Sequence, residues 1–358
     1  MNPLTESDTQ IPELDDLLDF AVIGAGMAGL TAASNISGLG YKLAVFEKAR
    51  GTGGRLSSKR VAYDEVEFMA FDLGCTSITA QSAAFYQQIE RWHLNGVLAP
   101  WCKDDQGLTH YVAVPRNSGL TRHLSKHIEC HFSTRITSIQ RIDNIWHLFT
   151  GDSVKKLLAK TKNVIIATPA AQAYDLLPQD NRFKNQLKSV EVAAQWVMGL
   201  EIGNDVSATA ALQYPNSASL YSISQESRKP GRRDNDDHSD SANSYSSTIL
   251  QVQASPLWTQ QHLESSHEQV SSALISEIEQ YMQQPLSIIN AYVHRWLYSC
   301  VTQGIAARDG YLWDEEGLGL IGDYLKSEDS SNYAGIESAW LSGKNLSDWL
   351  TLDSKRDD

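Results

Sequence analysis

One segment near the start of the chain constrains the fold more than any other. DFAVIG, starting at Asp19, predicts a buried strand, GMAGLTAASNISGLG predicts a helix, and YKLAVFEK, ending at Lys48, predicts a second strand. A strand, a helix and a strand in this order form a βαβ unit, in which the two strands run parallel. The chain is therefore expected to belong to the α/β class.

A glycine-rich motif lies between the first strand and the helix and comprises Gly24, Ala25, Gly26, Met27, Ala28 and Gly29. Gly24 allows a tight turn, Gly26 lets a pyrophosphate approach the backbone, and Gly29 lets the helix pack closely on the strand. The helix N-terminus offers free N–H groups and a positive dipole to phosphates. Glu47 ends the second strand, where a carboxylate commonly holds a ribose hydroxyl. This pattern favours a dinucleotide site over an ordinary glycine-rich turn.

A second glycine cluster follows Glu47 and comprises Gly51, Gly53 and Gly54, with Arg55 directly after it. NAD needs no such cluster. FAD carries its isoalloxazine ring well beyond the pyrophosphate, so a second backbone turn can contact the phosphates and the ribityl chain. Arg55 would donate two hydrogen bonds to phosphate. The alternative is a surface loop with an incidental arginine, and we favour FAD.

Composition limits the location and partners of the protein. The formal net charge of −13 argues against nucleic-acid binding, which normally uses a basic patch. The acidic N-terminus does not resemble a signal peptide, and no run of about 18 apolar residues predicts a membrane span. Four cysteines without CxxC or zinc-like spacing predict reduced thiols, no metal and a cytoplasmic location: Cys75, Cys102, Cys130 and Cys300.

Other patterns place further elements. Phe85, Ile89 and Trp92 recur at helical spacing and predict an amphipathic helix. The short apolar runs NVIIATP (163–169) and GLGLIGD (317–323) predict interior parallel strands. Near the C-terminus an apolar stripe predicts a packed helix and consists of Ile336, Ala339, Gly343, Leu346 and Leu350. Trp340 and Trp349 are expected in the core.

Residues 224–247 are nearly free of apolar side chains and rich in Ser, Asp and Asn. Such a segment buries too little surface to offset its ordering entropy, so we expect a disordered insertion between two strands. The alternative is a basic recognition element from Arg228 to Arg233. It is disfavoured because neighbouring acidic residues cancel its charge.

The chain resembles the flavin amine oxidase superfamily, and within it the renalase group. GAGMAG followed by FEKARGTGGR resembles the FAD-binding start of that family. DLGCTSITAQ, YVAVPRNSGLTRHL, STRITSIQR, VIIATPAAQAYDLL, HRWLYS and AGIESAWLSGKNLSDWL resemble later blocks in the same order. The resemblance implies a FAD-binding, Rossmann-like domain of the glutathione-reductase type. An interleaved α+β substrate domain with a mostly antiparallel sheet would accompany it.

The resulting organisation has a polar N-terminal tail and two discontinuous domains. The tail covers residues 1–17. The FAD-binding domain is expected to comprise residues 18–80, 115–173 and 305–352. The substrate domain is expected to comprise residues 81–114 and 174–304.

The resemblance also implies roles for individual residues. Glu47 would bind the adenosine ribose, and Arg55 would bind FAD from the second turn. Ile136 would contact the adenine through its backbone, and Asp323 would bind a ribityl hydroxyl. Helix N–H groups after Gly335 would stabilise negative charge on the pyrimidine end of the reduced flavin. The full set of expected FAD contacts is Gly24, Ala25, Gly26, Met27, Ala28, Gly29, Glu47, Lys48, Gly53, Gly54, Arg55, Thr76, Ser77, Ile136, Gly322, Asp323, Gly335, Ile336 and Glu337.

The sequence departs from the renalase pattern beside the expected flavin. That pattern usually reads Asp-Leu-Gly-Ala-Gln-Tyr, whereas here it is DLGCTS, residues 72–77. Thr76 and Ser77 thus place small hydroxyls where an amide and a large aromatic are expected, which weakens any inference about the substrate. His294 and Trp296 are further pocket candidates. The alternative, which we favour, is a strand with Trp296 in the core and Arg295 paired with a carboxylate.

The resemblance implies an oxidase reaction. The FAD is expected to be bound non-covalently, because no Cys or His can be assigned next to the flavin ring. The implied donors are aberrant dihydro-NAD(P) isomers, giving NAD(P)+ and, with molecular oxygen, hydrogen peroxide. No Ser/His/Asp arrangement is evident in the sequence, and hydride transfer to flavin needs none. A flavin amine oxidase is the first alternative. A non-catalytic, flavin-binding redox sensor is the second.

Overall fold

A computed structural model describes most of the chain. The residues described are 16–62, 68–151, 153–204, 206, 209–232, 247–327 and 335–354. The predicted tail, apart from its last two residues, and the centre of the predicted insertion, residues 233–246, lie outside the described residues.

The larger sheet joins the two ends of the chain. Its eight strands within the described residues are β1 (Leu18–Ile23), β2 (Leu43–Phe46), β7 (Glu129–His131), β8 (Ser138–Ile142), β9 (Ile145–Thr150), β10 (Lys156–Ile166), β17 (Leu312–Trp313) and β18 (Leu318–Leu320). The main path runs β17-β18-β10-β1-β2-β7, and the β8–β9 hairpin pairs with the first half of β10. This open sheet provides the Rossmann-like frame.

The centre of the large sheet is parallel and fully buried. Ala21 of β1 pairs with Ala44 of β2 on one side and Val164 of β10 on the other. All three side chains are inaccessible to solvent, as expected for strands covered on both faces. Strand β18 continues the parallel set beside β10. The predicted βαβ unit and both predicted interior strands are therefore confirmed.

A second, antiparallel sheet forms the other half of the molecule. In the described part of the chain its five strands are β11 (Glu191–Ile202), β12 (Leu212–Gln213), β13 (Leu220–Gln225), β14 (Thr248–Ala254) and β15 (Ile288–Gln303), in the order β12-β13-β14-β11-β15. Three two-stranded pairs complete the strands: β3 (Ser58–Ala62) with β4 (Phe68–Asp72), β5 (Leu98–Lys103) with β6 (Thr109–Ala113), and β16 (Ile305–Ala306) with β19 (Leu325–Lys326).

The helices cover these sheets. They are α1 (Met27–Ser37), α2 (Ala83–Leu94), α3 (Ser118–Ser125), α4 (Ala170–Leu176), α5 (Lys184–Leu187), α6 (Pro256–Gln261), α7 (His267–Met282) and α8 (Gly335–Ser354), with 3-10 turns at Gly54–Leu56 and Glu226–Arg228. None of the described helices has the length and apolar character required to cross a bilayer.

Both faces of the antiparallel sheet are covered. Helix α7 packs on one face through Val270, Leu274 and Ile278. On the other face lies the β3–β4 hairpin, whose Phe71 ring packs against Gly199 of β11. A Cβ on Gly199 would lie 2.3 Å from a ring carbon of Phe71, so only glycine leaves room for the ring. The hairpin, expected in the FAD-binding domain, thus packs against the sheet of the other domain.

Helix α2 was expected in the substrate domain, but it packs against the dinucleotide-binding half of the molecule. Its Phe85, Ile89 and Trp92 are buried, which confirms the predicted amphipathic helix. They belong to the same apolar core as Leu30 of α1 and Trp340 of α8. This helix is part of residues 81–114, which were expected in the substrate domain. Its buried face nevertheless packs with the dinucleotide-binding half.

The start of the predicted insertion is ordered and buried, so that prediction was wrong for residues 224–232. Ser224 and Gln225 end β13, and Glu226 and Lys229 are 1% and 2% exposed. The Lys229 ammonium pairs with Glu226 and lies 3.2 Å from Asp72 of β4. Arg232 also pairs with Asp72. Charge pairing, which composition does not reveal, holds this segment against the β3–β4 hairpin.

Asp72 is the centre of this buried network. Burial alone would raise the pKa of Asp72, but Lys229 and Arg232 outweigh burial and lower it below its usual value. The carboxylate also accepts hydrogen bonds from the backbone N–H of Asn117 and the hydroxyl of Ser58, both at 2.9 Å. The ionised carboxylate is therefore paired with groups from three separate segments: residues 224–232, Asn117 and Ser58.

Removal of one cation from this network should destabilise the protein. The Lys229→Ala variant leaves Asp72 and Glu226 buried with too little positive charge, which we expect to cost about 3–5 kcal/mol of unfolding free energy. Lys126→Ala, on an exposed lysine at the end of α3, is the control and should stay within about 0.5 kcal/mol of wild type. Urea unfolding measures both values. Equal stability of the two variants would contradict the structural role of the network.

Candidate functional site

The two glycine clusters of the sequence form adjacent turns. The backbone N–H of Gly53 donates to the carbonyl of Ala25 at 3.0 Å, which joins the second turn directly to the first. Gly24, Gly53 and Gly54 have φ values of +111°, +140° and +51°, a region that side-chain-bearing residues rarely adopt. The glycines are therefore required by the backbone geometry.

Within the first turn, two glycines serve different purposes. A Cβ on Gly29 would lie 2.1 Å from the carbonyl oxygen of Gly24, so Gly29 allows α1 to pack against the turn. A Cβ on Gly26 would meet no protein atom within 4 Å. Gly26 lies at the start of α1, and its open side faces the cavity described below. This arrangement fits a phosphate that approaches the backbone at Gly26.

Glu47 fixes the first turn from the end of β2. Its two carboxylate oxygens accept backbone hydrogen bonds from Ala25 and Ala49, both at 2.8 Å. Each carboxylate oxygen has a further lone pair, so the side chain retains capacity to accept a ribose hydroxyl. The residue therefore makes a structural contact, and its binding of a ribose stays a prediction.

Arg55 has a partner that the sequence did not reveal. Its guanidinium forms a bidentate ion pair with Asp323, with N–O distances of 2.7 and 2.6 Å, and also donates to the carbonyl of Ser299 at 2.9 Å. Arg55 was expected to donate to phosphate and Asp323 to hold a ribityl hydroxyl. The structure instead joins the two predicted ligands to each other on the cavity wall, tying the second turn to the C-terminal segment.

Helix α8 docks closely on the first turn. A Cβ on Gly343 would lie 2.3 Å from the carbonyl oxygen of Ala28, so this glycine lets α8 cross α1 at short distance. Ala339, Leu346 and Leu350 are buried, as the apolar stripe predicts. The Glu337 carboxylate accepts hydrogen bonds from the backbone N–H groups preceding α2, at 2.7 and 2.8 Å. Glu337 thus anchors α2 to α8.

One cavity of about 880 Å³ runs along both turns, the start of α8 and the antiparallel sheet. It brings together most of the predicted FAD contacts: Gly24, Gly26, Met27, Ala28, Glu47, Lys48, Gly53, Gly54, Arg55, Thr76, Ser77, Ile136, Gly322, Asp323, Gly335 and Ile336. The predicted residues that do not line it are Ala25, Gly29 and Glu337. These three support the wall through the contacts described above.

The far end of the cavity is lined by polar and aromatic groups from both halves of the molecule. The Thr76 hydroxyl donates to the Gln251 side chain at 2.8 Å. Tyr214 and Tyr221 pack edge to face with centroids 5.9 Å apart and remain half exposed. The tyrosines come from segments whose sequence carried no recognisable motif, so sequence reasoning missed them.

Ser77, His110 and Asp104 form a hydrogen-bonded chain, which corrects the expectation that no Ser/His/Asp arrangement exists. Ser77 Oγ lies 2.7 Å from His110 Nδ1, and His110 Nε2 lies 3.4 Å from Asp104 Oδ2. Ser77 and His110 both line the cavity. No local pattern could reveal this chain, because 33 residues separate Ser77 from His110.

The segment from His294 to Trp296 contributes to the cavity wall, and the favoured expectation that Trp296 lies in the core was wrong. Trp296 lines the cavity, and its indole N–H donates to the carbonyl of Leu73 at 2.8 Å. Arg295 also lines the cavity and lies 3.5 Å from Glu264, as the favoured alternative expected. His294 is not among the lining residues. Burial and nearby Lys59 lower its pKa, which disfavours a charged, anion-binding histidine.

Two thiols and an imidazole also reach the cavity, contrary to the expectation that no Cys or His could be assigned there. They are Cys75, Cys300 and His110. Burial raises the pKa of Cys75 to about 11, so this thiol is protonated at neutral pH and a weak nucleophile. Among the described residues, no group of three His, Cys, Asp or Glu side chains could hold a metal ion.

Comparisons with known proteins agree with this geometry. Residues 22–91, which contain both glycine turns, match the NAD(P)-binding Rossmann-like domain family. Mouse renalase is 25% identical over 320 residues, covering 81% of this chain and 87% of renalase. Two solved structures share the fold alone, at 8% and 9% identity: cyclohexylamine oxidase from Brevibacterium oxydans (TM-score 0.67, 95% of this chain and 100% of that chain) and a redesigned putrescine oxidase (TM-score 0.60, 94% and 99%).

The fold is therefore the expected mixed α/β fold, with a Rossmann-like domain and an antiparallel sheet, as found in FAD-dependent oxidases. Together with the sequence relative, it supports the renalase-like flavin amine oxidase family, in agreement with the resemblance seen in the sequence.

Gly26 offers a direct test of the phosphate turn. Its φ of −86° suits any residue and its Cβ direction is open, so Gly26→Val should fold normally. The valine would occupy the space proposed for phosphate and weaken FAD binding by about 100-fold or more, or about 2.7 kcal/mol. Binding is measured by titration of the ligand-free protein with FAD.

The matched control for that variant is Gly51→Val. A Cβ on Gly51 also meets nothing within 4 Å, but Gly51 does not line the cavity, so FAD affinity should be unchanged. Normal FAD affinity of the Gly26→Val protein would contradict the assignment of the first turn to phosphate.

Proposed function

We propose that this protein is a FAD-dependent oxidase that takes hydride from an organic donor, with aberrant dihydro-NAD(P) isomers as the preferred class. The products would be NAD(P)+ and, with oxygen, hydrogen peroxide. The observation that carries the proposal is the continuity of one cavity from the two joined glycine turns to Ser77 and Trp296. A dinucleotide held at the turns would have its reactive ring at the far end of that cavity.

The cavity residues fit an extended dinucleotide. Gly26 and the N-terminus of α1 would hold the pyrophosphate, Glu47 the adenosine ribose, and Ile136 the adenine side. Asp323 and Arg55 would flank the ribityl chain as a charged pair. The N-terminus of α8 at Gly335 would lie at the pyrimidine end, where its positive dipole would stabilise negative charge.

FAD, when bound, would supply hydride acceptance from the donor and electron transfer to oxygen. The residues of the chain would bind and orient the two partners and limit access of water. Trp296 and the Tyr214–Tyr221 pair would supply flat surfaces on which a dihydropyridine can stack. Thr76 and Gln253 line the cavity beside them, and Gln251 behind them connects the two, because it accepts from Thr76 and shares the Gly74 carbonyl with Gln253.

The proposed partners are limited to a small donor molecule and oxygen. The net charge of −13 supports the absence of a nucleic-acid partner. All four cysteines are free thiols, which supports the proposed cytoplasmic location, where thiols are kept reduced.

Anaerobic mixing tests the donor class. The protein is loaded with FAD and mixed with dihydronicotinamide isomers reduced at unusual ring positions, with ordinary NADH and NADPH, and with a panel of amines. The isomers should bleach the yellow flavin within one turnover and, in air, give one peroxide per donor. Bleaching by amines alone would identify an amine oxidase. Tight FAD binding without bleaching by any donor would identify a non-catalytic flavoprotein.

Non-covalent attachment of FAD is tested separately. The high pKa of Cys75 makes its thiol a poor nucleophile towards the flavin. Acid precipitation of the yellow protein should therefore release all flavin into the supernatant, and mass spectrometry should show the unmodified chain mass. Yellow colour retained in the washed precipitate would show a covalent bond. Cys75→Ser and Cys300→Ser would then identify which thiol carries it.

A further inference from the structure

The Ser77–His110–Asp104 chain is continuous from the molecular surface to the cavity. Asp104 follows β5, His110 lies in β6, and Ser77 precedes an isolated bridge between Ile78 and Tyr111. The pairing of Ile78 with the residue directly after His110 brings Ser77 beside the imidazole. The position of the chain is thus set by backbone pairing.

Exposure changes along this chain. The Asp104 side chain is 24% exposed, whereas that of His110 is 5% exposed. Ser77 is half buried and lines the cavity. Asp104 is held in place because its Oδ1 accepts the backbone N–H groups of Gln106 and Leu108 at 3.0 and 2.9 Å. Its second oxygen, Oδ2, is the one that faces His110.

The imidazole has the connectivity required for proton transfer. One ring nitrogen faces the solvent-accessible carboxylate, and the other faces the cavity hydroxyl. A neutral imidazole can accept a proton at Nε2 and release one at Nδ1, and the Ser77 hydroxyl can pass that proton on by exchanging donor and acceptor roles. A histidine retained for packing alone would not need two polar partners at opposite ends of a solvent-to-cavity path.

The proposed reaction creates a demand for such a path. Oxidation of one dihydronicotinamide transfers two electrons and one proton to oxygen. Hydrogen peroxide contains two protons, so the second must come from solvent, according to donor-H + H+ + O2 → donor+ + H2O2. We propose that Asp104, His110 and Ser77 deliver this proton into the cavity. The inference rests on the proposed function, because the balance holds only for an oxidase.

The test isolates the oxygen reaction from the donor. FAD-loaded protein is reduced by light under anaerobic conditions and mixed with oxygenated buffer made in H2O or D2O. Wild-type protein should recover its yellow colour more slowly in D2O. His110→Gln should slow recovery by about 100-fold, the range of positioned acid–base catalysis. Ser77→Ala should slow it by a smaller factor, because a water molecule can replace the hydroxyl.

Two controls separate proton delivery from general damage. Ferricyanide accepts electrons without protons, so it should reoxidise wild type and both variants at the same rate. His93→Gln, at a histidine on α2 that bonds to the Leu98 carbonyl and does not line the cavity, should match wild type with oxygen. Equal oxygen rates for His110→Gln and wild type would overturn the proposed path.

A second readout needs no cofactor. In the ligand-free protein, the ¹⁵N resonances of the His110 ring report its two hydrogen bonds separately. Ser77→Ala should shift the Nδ1 resonance and Asp104→Asn the Nε2 resonance. Unchanged resonances would show that the chain does not exist in solution. Failure of every donor to reduce the flavin would overturn the proposed function and leave these hydrogen bonds measurable, so the two failures can be distinguished.

Discussion

The hydrogen bond from the Gly53 N–H to the Ala25 carbonyl is the contact on which the rest of the site depends. It holds the second glycine turn against the first, and the positive φ values of Gly53 and Gly54 make glycine the favoured residue in that second turn. From that position Arg55 reaches Asp323, and the C-terminal segment is drawn to the same wall. The N-terminal glycine turns and the C-terminal segment around Asp323 therefore meet on the same wall of the cavity.

The parts of the fold that were predictable depend on local constraints. The β1–α1–β2 unit follows from apolar runs of strand length around a glycine turn, and the buried faces of α2 and α8 follow from spacing along one helix. Gly29 and Gly343 show why glycine matters at these contacts, since each lies against a carbonyl oxygen with which a side chain would collide. The strand and helix patterns and the Gly24–Gly29 contact are local in the sequence, whereas the contact of Gly343 with Ala28 joins the two ends of the chain.

The features that could not be predicted depend on pairing over long separations. Arg55 meets a carboxylate 268 residues away, and Arg232 meets one 160 residues away. A charged segment is expected to remain solvated unless opposite charges are buried with it, and composition cannot show which charges meet. Residues 224–232 therefore lie in the interior despite their composition. The packing of α2 on α1 and α8 was not predicted for a related reason, because helical spacing gives the buried face of a helix but not the element that covers it.

The departure at Ser77 from the renalase pattern gains a physical meaning from the structure. Ser77 Oγ lies 2.7 Å from the buried imidazole of His110, a contact made by a hydroxyl carried directly on Cβ, whereas the hydroxyl of tyrosine lies at the far end of a ring. The substitution does not simply remove an aromatic wall. It replaces that wall with a hydroxyl connected through His110 and Asp104 to the protein surface.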